Sequence, residues 1–343
     1  AVESLIGSFI LIFRHLLLDS FFPIVQRPIK VGSAFEGWSP REEDIVYRMF
    51  VPLRPPPGHI FRLELDTAGE RPARNFRVWV EPVCICMSER LWGSVLCFLH
   101  HSEEELRNQD TSRLRFLCSG SFLDVEKTAC WFQKLVRTSW VVLPQSAYWR
   151  LTVLPSSRSC KFMVTRRNHK SLTMELVFGV RQGNSDVFVS SQSTEGLFTP
   201  STAWPETYAV AEAKFFGHMA GLLPHNSCHL TCLQLCARIL PGSCFSTSTL
   251  KTVVMHLLNS THPSHWRRMN VLLRLQEIMR YLHHCLEEKR LDHFFIGNEN
   301  MTELASLPLP TREAEPLNLF QHLAKDPAAH AEALREYMDL RDR

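Results

Sequence analysis

Apolar residues recur at helical spacing along the opening stretch SLIGSFILIFRHLLLDSFFPIV, which predicts one long helix over residues 1–26, ended by Pro23 and the Arg27–Pro28 pair. From Val31 to about Cys86 the pattern changes to strands: DIVYRMFV, HIFRLELD and FRVWVEPVCIC are short and rich in β-branched and aromatic residues, with PPPG and AGERPA between them as turns. Helical spacing returns over 88–143 in SERLWGSVLCFLHH and SFLDVEKTACWFQKLVRTSW. Strands recur from Tyr148 to Val189, where WRLTVLPS, CKFMVTR and SLTMELVFGV predict a meander around the turn RRNHK. SSQSTEGLFTPSTAWPE reads as a linker, and Thr207–Arg343 is helical in pattern almost throughout. The expectation is an α+β fold: a mixed lobe of residues 1–206, an all-α lobe of 207–343, and a cleft between them as the binding site.

Composition supports a folded protein. Of the 343 residues, 45% are hydrophobic and 21% charged, which excludes disordered, collagen-like and small disulfide-stapled classes. Lys plus Arg number 38 against 35 Asp plus Glu, so the formal net charge is +3. That balance argues against strong nucleic-acid binding, which calls for a clearly basic domain.

The eleven cysteines are an odd number, and most lie in apolar runs such as SVLCFLH and YLHHCLE, where a reduced cysteine behaves as a small hydrophobe. A reducing compartment is expected, and the sequons at Asn259 and Asn300 are then chance matches. Arg14, His15 and Asp19 interrupt the apolar opening, so no run reaches the roughly 18 uncharged residues of a spanning helix. The chain begins at Ala1 without Met, so a fragment or processed form is expected.

Three constellations could carry chemistry. Gly32–Ser33, opening a short helix, offers backbone N–H groups and a hydroxyl to a triphosphate. Ten to twelve residues on, Glu42 and Asp44 are spaced to face one side of a strand, a geometry that can bridge two Mg²⁺ ions, with Glu175 of LTMELVFG as the third carboxylate. The same residues also read as a tight turn and a solvent-facing strand start. Glu64 and Asp66 alternate more cleanly, but they stand too far from Gly32 for a short turn to place them on one phosphate. The second constellation is His225, Cys228, His229, Cys232 and Cys236, a zinc set or else a buried helix stripe shared with Leu235 and Ile239. The third is the basic group Arg166, Arg167, His169 and Lys170, with Arg267 and Arg268, a phosphate or acidic-lipid patch or else solvated charge. No Walker loop, HExxH, nucleophile elbow or CxxC pair is present.

VGSAFEGWSPREED, the text at Phe116–Gln133, TPSTAWPETYAVAEAKFF, FSTSTLKTVVMHLL and CLEEKRLDHFFIGNENM together resemble the inositol 1,4,5-trisphosphate receptor-interacting protein-like group of the Mab-21-like family, which also contains cyclic GMP–AMP synthase. The resemblance covers essentially the whole chain. It implies a nucleotidyltransferase-like lobe followed by a helical lobe, and places Gly32 and Ser33 at the nucleotide-binding turn. Counting back from Val51–Pro52 puts Glu42 and Asp44 at the two metal-binding carboxylates, and Glu175 falls at the third. Three departures weigh against activity. Glu43 splits the acid pair, Ser248 stands where synthase relatives stack a base on an aromatic ring, and Pro224 and His225 occupy the place of a zinc-binding Cys pair, although Cys232 matches one ligand. Losing the ring would weaken nucleotide holding by about 1–3 kcal/mol.

Two functions follow from the resemblance. The leading one is an interaction module with a degenerate nucleotidyltransferase fold and no cofactor, its partner an inositol trisphosphate receptor or a similar membrane protein, lying on the cytosolic side of a membrane anchor absent from this chain. The other is an Mg²⁺-dependent nucleotidyltransferase that makes a nucleotide messenger from ATP or GTP. A Glu175 side chain paired with arginine would favour the first.

Overall fold

The opening helix stops well before Pro23. In the computed structural model, which describes residues 2–18, 20–41, 43, 45–66, 74–87, 95–102, 104–109, 112–166, 171–192, 199–239, 245–298 and 305–341, α1 spans Val2–Leu16 and buries Val2, Leu5, Ile6, Phe9, Ile10 and Phe13 along one face. Phe9 meets Trp140 and Phe162, and Phe13 meets Phe132. The predicted continuation to residue 26 fails because the next aromatics pack separately, Phe21 on Phe98 and Phe22 on Trp131. Pro23 then turns the chain into β1 (Ile24–Val25), which pairs with the far end of a later strand.

The chain divides into two compact units, Ala1–Val31 with Val46–Val210, and Gly32–Ile45 with Ala211–Arg343. The first carries the sheet. After β2 (Ile29–Val31) and the short α2 (Ser33–Glu36) of the second unit come β3 (Val46–Arg54), β4 (His59–Leu65) and β5 (Asn75–Pro82). Next are α3 (Ser112–Phe116), β6 (Cys118–Ser119), β7 (Phe122–Leu123) and α4 (Val125–Trp140). β8 (Trp149–Val153), β9 (Cys160–Arg166), β10 (Ser171–Arg181), β11 (Phe188–Ser190) and β12 (Trp204–Thr207) complete the twelve strands that the described residues contribute to one mixed sheet.

At its centre β3 and β10 run parallel, in a register that puts Arg48 beside Glu175. A parallel pair requires cover on both faces, and the near-continuous burial of Met49–Leu53 and Leu176–Val180 shows it. β8, β9 and β10 form the predicted antiparallel meander. A side chain at Gly179 is forbidden: an added Cβ would collide with the Val189 carbonyl oxygen and lie 2.7 Å from Phe50 Cζ.

Asp124 caps α4, accepting from Lys127 N–H on one carboxylate oxygen and from the Ser119 and Ser201 hydroxyls on the other. Two sequence expectations change in this unit. Residues 95–101, placed in a helix by their apolar spacing, are turns and irregular backbone; the rest of that stretch, 88–94, lies outside the described residues. The linker 190–206 ends in β12, where Trp204 is fully buried and donates its indole N–H to Leu123 O.

The second unit is helical, as its pattern predicts: α5 (Ala209–Leu222, whose first two residues belong to the first unit), α6 (His229–Ile239), α7 (Thr247–Ser260), α8 (Val271–Glu287), α9 (Leu309–Arg312), α10 (Gln321–Lys325) and α11 (Pro327–Arg341). Tyr337 fastens α11 to α8 through Met279 O. Residues 32–45 join this unit rather than the sheet because α6 holds their backbone: Gln234 Nε2 donates to Ser39 O at 2.9 Å, and Arg238 donates to Pro40 O. Among the described residues no helix is long and apolar enough to cross a membrane.

Candidate functional site

Glu175 sits mid-strand on β10, and its carboxylate is occupied at both oxygens. Arg48 Nε on the parallel neighbour β3 donates to Oε2 at 2.9 Å, and the Ser159 hydroxyl donates to Oε1 at 2.7 Å. The carboxylate is mostly shielded from water and the guanidinium about one third exposed. Ser159 is itself fixed by Ser156, whose carbonyl accepts from Gln133 Nε2 on α4. The pair is neutral in sum. A magnesium ion wants carboxylate oxygens with room for its waters; at Glu175 Arg48 and Ser159 each take one lone-pair position, and the guanidinium offsets the charge that would attract a dication. The described member of the expected acid triad is thus held in an ion pair with Arg48. Glu42 and Asp44 lie outside the described residues.

The Gly32–Ser33 turn is built as its sequence suggests, within the second unit. Gly32 takes φ +82°, a conformation that favours glycine, and its carbonyl accepts from Phe35 and Glu36 to open α2. The Ser33 carbonyl accepts from Gly37 and Trp38, and Gly37, at φ +85°, ends the helix. Beneath the turn lies a buried charge network. Lys251 of the FSTSTLKT segment donates to Glu36 at 2.7 Å and to Glu212 at 2.6 Å, and Trp38 Nε1 donates to the second oxygen of Glu36 at 2.7 Å. Burial alone would push the Lys251 ammonium down; Glu212 and then Glu36 outweigh it and hold it above its ordinary value. Ser246 caps α7 through Thr249 N–H, and Ser248 is exposed. This lysine is thus committed to two carboxylates and unavailable to a phosphate.

The remaining expectations separate. Glu64 pairs with Arg77 directly across β4 and β5 at 3.7 Å, which makes it part of a strand surface. The ligand atoms of His225, Cys228, His229, Cys232 and Cys236 form no metal-binding group. Cys228, His229, Cys232 and Cys236 are buried, in company with Leu233 and Ala237 rather than Leu235 and the exposed Ile239. Burial pushes the Cys236 thiol up to about 12 and lowers His229 to about 4, so these groups are neutral core. Arg166 is exposed at the end of β9; Arg167, His169 and Lys170 lie outside the described residues; Arg267 and Arg268 are exposed beside a 3₁₀ turn. Sequence reasoning missed one cluster, Cys84, Cys86, Cys97 and His100, whose ligand atoms converge after β5. Its signal was two close pairs, Cys-x-Cys and Cys-x2-His.

Comparison with known proteins joins these observations. Residues 236–308, from the end of α6 to the start of α9, match the model of the Mab-21 protein HhH/H2TH-like domain. The chain is 34% identical over 352 residues to the inositol 1,4,5-trisphosphate receptor-interacting protein-like 1 of Rattus norvegicus and 35% over 351 residues to that of Mus musculus; each alignment covers 99% of this chain and 64% of the relative. To the human inositol 1,4,5-trisphosphate receptor-interacting protein it is 28% identical over 343 residues, covering 91% of this chain and 61% of the relative. The chain thus spans just under two thirds of the length of these relatives. The mixed sheet followed by helices, the Mab-21 domain at 236–308 and the end-to-end similarity agree: this is an α+β chain with a Mab-21 HhH/H2TH-like domain, similar along nearly all its length to inositol 1,4,5-trisphosphate receptor-interacting protein-like 1.

Proposed function

We propose that this chain is a regulatory interaction module, that it uses a nucleotidyltransferase-like fold without its chemistry, and that its partner is an inositol 1,4,5-trisphosphate receptor or a similar membrane protein. The names of its relatives support the partner class. Association with the membrane, on its cytosolic side, would come from a segment outside this chain. The observation that carries the non-catalytic half is the Arg48–Glu175–Ser159 arrangement, a carboxylate bonded internally at both oxygens and paired with a guanidinium that offsets the charge a metal would need. Lys251, held by Glu36 and Glu212, supports the same reading.

The test has two arms. Thermal shift of the whole chain is measured with ATP or GTP, with and without Mn²⁺, on the wild type and on Asp44→Ala. A nucleotide bound at one hundred times its Kd would stabilise by about 2.7 kcal/mol, or roughly 4 °C. The expected shift is far smaller and the same in both proteins; a Mn²⁺-dependent gain of that size, lost in Asp44→Ala, would restore the enzyme reading. In the second arm, immobilised inositol trisphosphate receptor is titrated with the chain. Saturable binding supports the partner, and its absence removes it.

A further inference from the structure

The irregular segment that leaves β5 holds a cluster that the proposed function does not use. Cys84 and Cys86 lie just beyond β5; Cys97 and His100 lie in the turn at 97–100. The three Sγ atoms and the imidazole nitrogen are all within 4.8 Å of one another. The His100 Nδ1 atom stands 3.4 Å from Cys84 Sγ, 3.1 Å from Cys86 Sγ and 3.6 Å from Cys97 Sγ. One imidazole nitrogen offers one in-plane position, either a proton or a lone pair. The thiols also bond one another, Cys86 to Cys84 and to Cys97, and Cys97 bonds to the backbone of Ile85 and Leu99, so three sulfurs and one imidazole nitrogen face one another within 4.8 Å.

A tetrahedral zinc ion accounts for the crowding. With Zn–S near 2.3 Å and Zn–N near 2.0–2.1 Å, the S···N edge of the tetrahedron is about 3.6 Å and the S···S edge about 3.8 Å. The observed S···N separations are close to that edge. Three soft sulfurs and one imidazole select zinc over hard cations such as magnesium and calcium.

The surrounding residues hold both halves of the cluster in place by themselves. Val83 N–H donates to Gly58 O at 2.8 Å, tying the first pair to the β4 turn, and Ile85 between the two cysteines is buried. Phe98, inside the second pair, packs against Phe21 at 5.3 Å and His59 at 5.1 Å. It lies over Gly58, where φ is +75° and an added Cβ would come within 2.8 Å of its ring. Gln109 clamps Leu96, accepting from its N–H and donating to its carbonyl at 3.0 Å, directly before Cys97. Cys97 is buried while Cys84, Cys86 and His100 are exposed, which leaves an ion a path in.

We infer that Cys84, Cys86, Cys97 and His100 bind one zinc ion in a closed structural site of the sheet-bearing unit. Four protein ligands leave no open position for substrate, so the ion's part is to lock the segment after β5. Binding displaces three thiol protons, and the site carries three thiolates and a neutral imidazole around Zn²⁺.

The test is independent of nucleotide or receptor binding. The whole chain is purified under reducing conditions, and its zinc is measured by elemental analysis after gel filtration. About one zinc per chain is expected for the wild type and for Cys130→Ser, an exposed cysteine outside the cluster. Cys97→Ser and His100→Ala should lose most of it, while His100→Cys, which keeps four ligands, should retain it. Titration of the metal-free wild type with Co²⁺ needs no variant: it should give the intense visible bands of tetrahedral cobalt and a thiolate charge-transfer band. A wild type without zinc, zinc unchanged in Cys97→Ser and His100→Ala, or a weak octahedral cobalt spectrum would each overturn the site.

Discussion

Lys251→Met removes a charge that two buried carboxylates share while keeping the volume of the side chain. Lys251 is 7% exposed, Glu36 4% and Glu212 19%, so little water is available to replace the lost ammonium. Breaking a buried ion pair from one side costs about 3–5 kcal/mol, because the partner's charge stays behind. Two features move this case to the lower end: Glu36 keeps the Trp38 indole N–H at 2.7 Å, and Glu212 is partly hydrated. The expected loss is about 3 kcal/mol, or roughly 4 °C in Tm at about 1.4 °C per kcal/mol for a chain of this length. The loss should be flat across neutral pH. The folded pKa of Lys251 is raised, so its contribution is complete below the unfolded value and fades only as pH rises through the folded one, far into alkali. Scanning calorimetry reads the loss, and adding Glu36→Gln isolates the coupling. With the second charge gone, the double variant should be less destabilised than the sum of the singles by about 1 kcal/mol or more. A single-variant loss below about 1 kcal/mol, or strictly additive effects, would mean that the network is solvated and does not hold α2 to α5 and α7.

Two further changes probe the core. Gly179→Ala should destabilise by roughly 1–3 kcal/mol or more, because its Cβ would meet Val189 O and Phe50; the urea midpoint should fall with an unchanged m-value, and an unchanged midpoint would deny that close approach. His229 is buried and its pKa lowered by that burial to about 4, so between pH 6.5 and about 4 the unfolded chain binds the extra proton. The stability it contributes is intact above 6.5 and is lost as the solution is acidified, by about 1.4 kcal/mol per pH unit. In His229→Gln, chemical denaturation measured from pH 7 to 5 should show a shallower slope than in the wild type, and equal slopes would refute the assignment.

The strands were legible where one face packs and alternation survives, as in CKFMVTR, and the helical second half was legible from its periodicity. The end of α1 was not: Phe21 and Phe22 continue the apolar pattern, yet their partners, Phe98 and Trp131, are set by distant packing. SVLCFLH failed for a related reason. Its spacing suits a helix, but Gly58 and Gln109 hold Phe98 and Leu96 in a turn. The grouping of residues 32–45 with the helices rests on Gln234 and Arg238, nearly two hundred residues away. Glu175 could be picked out as an acid on a buried strand. Its arginine could not, since the parallel register of β3 and β10 joins positions 127 residues apart. The Cys-x-Cys and Cys-x2-His pairs are visible in the sequence, but ten residues separate them and only the fold brings their ligand atoms together.

The same register also decides what Glu175 is able to do. Ligating carboxylates are commonly hydrogen-bonded on their outer side, so the Ser159 contact on Oε1 is compatible with a metal on Oε2. The Arg48 contact works against it, because it takes one lone-pair position on Oε2 and offsets the charge that would attract a dication. Parallel pairing places residue 48 beside residue 175 whatever occupies them, and only the guanidinium reaches across with a fixed positive charge. One residue on β3 therefore sets the state of the carboxylate on β10. The surrounding sheet, with Ser159 buttressed by Ser156 and Gln133, holds the carboxylate in that pairing.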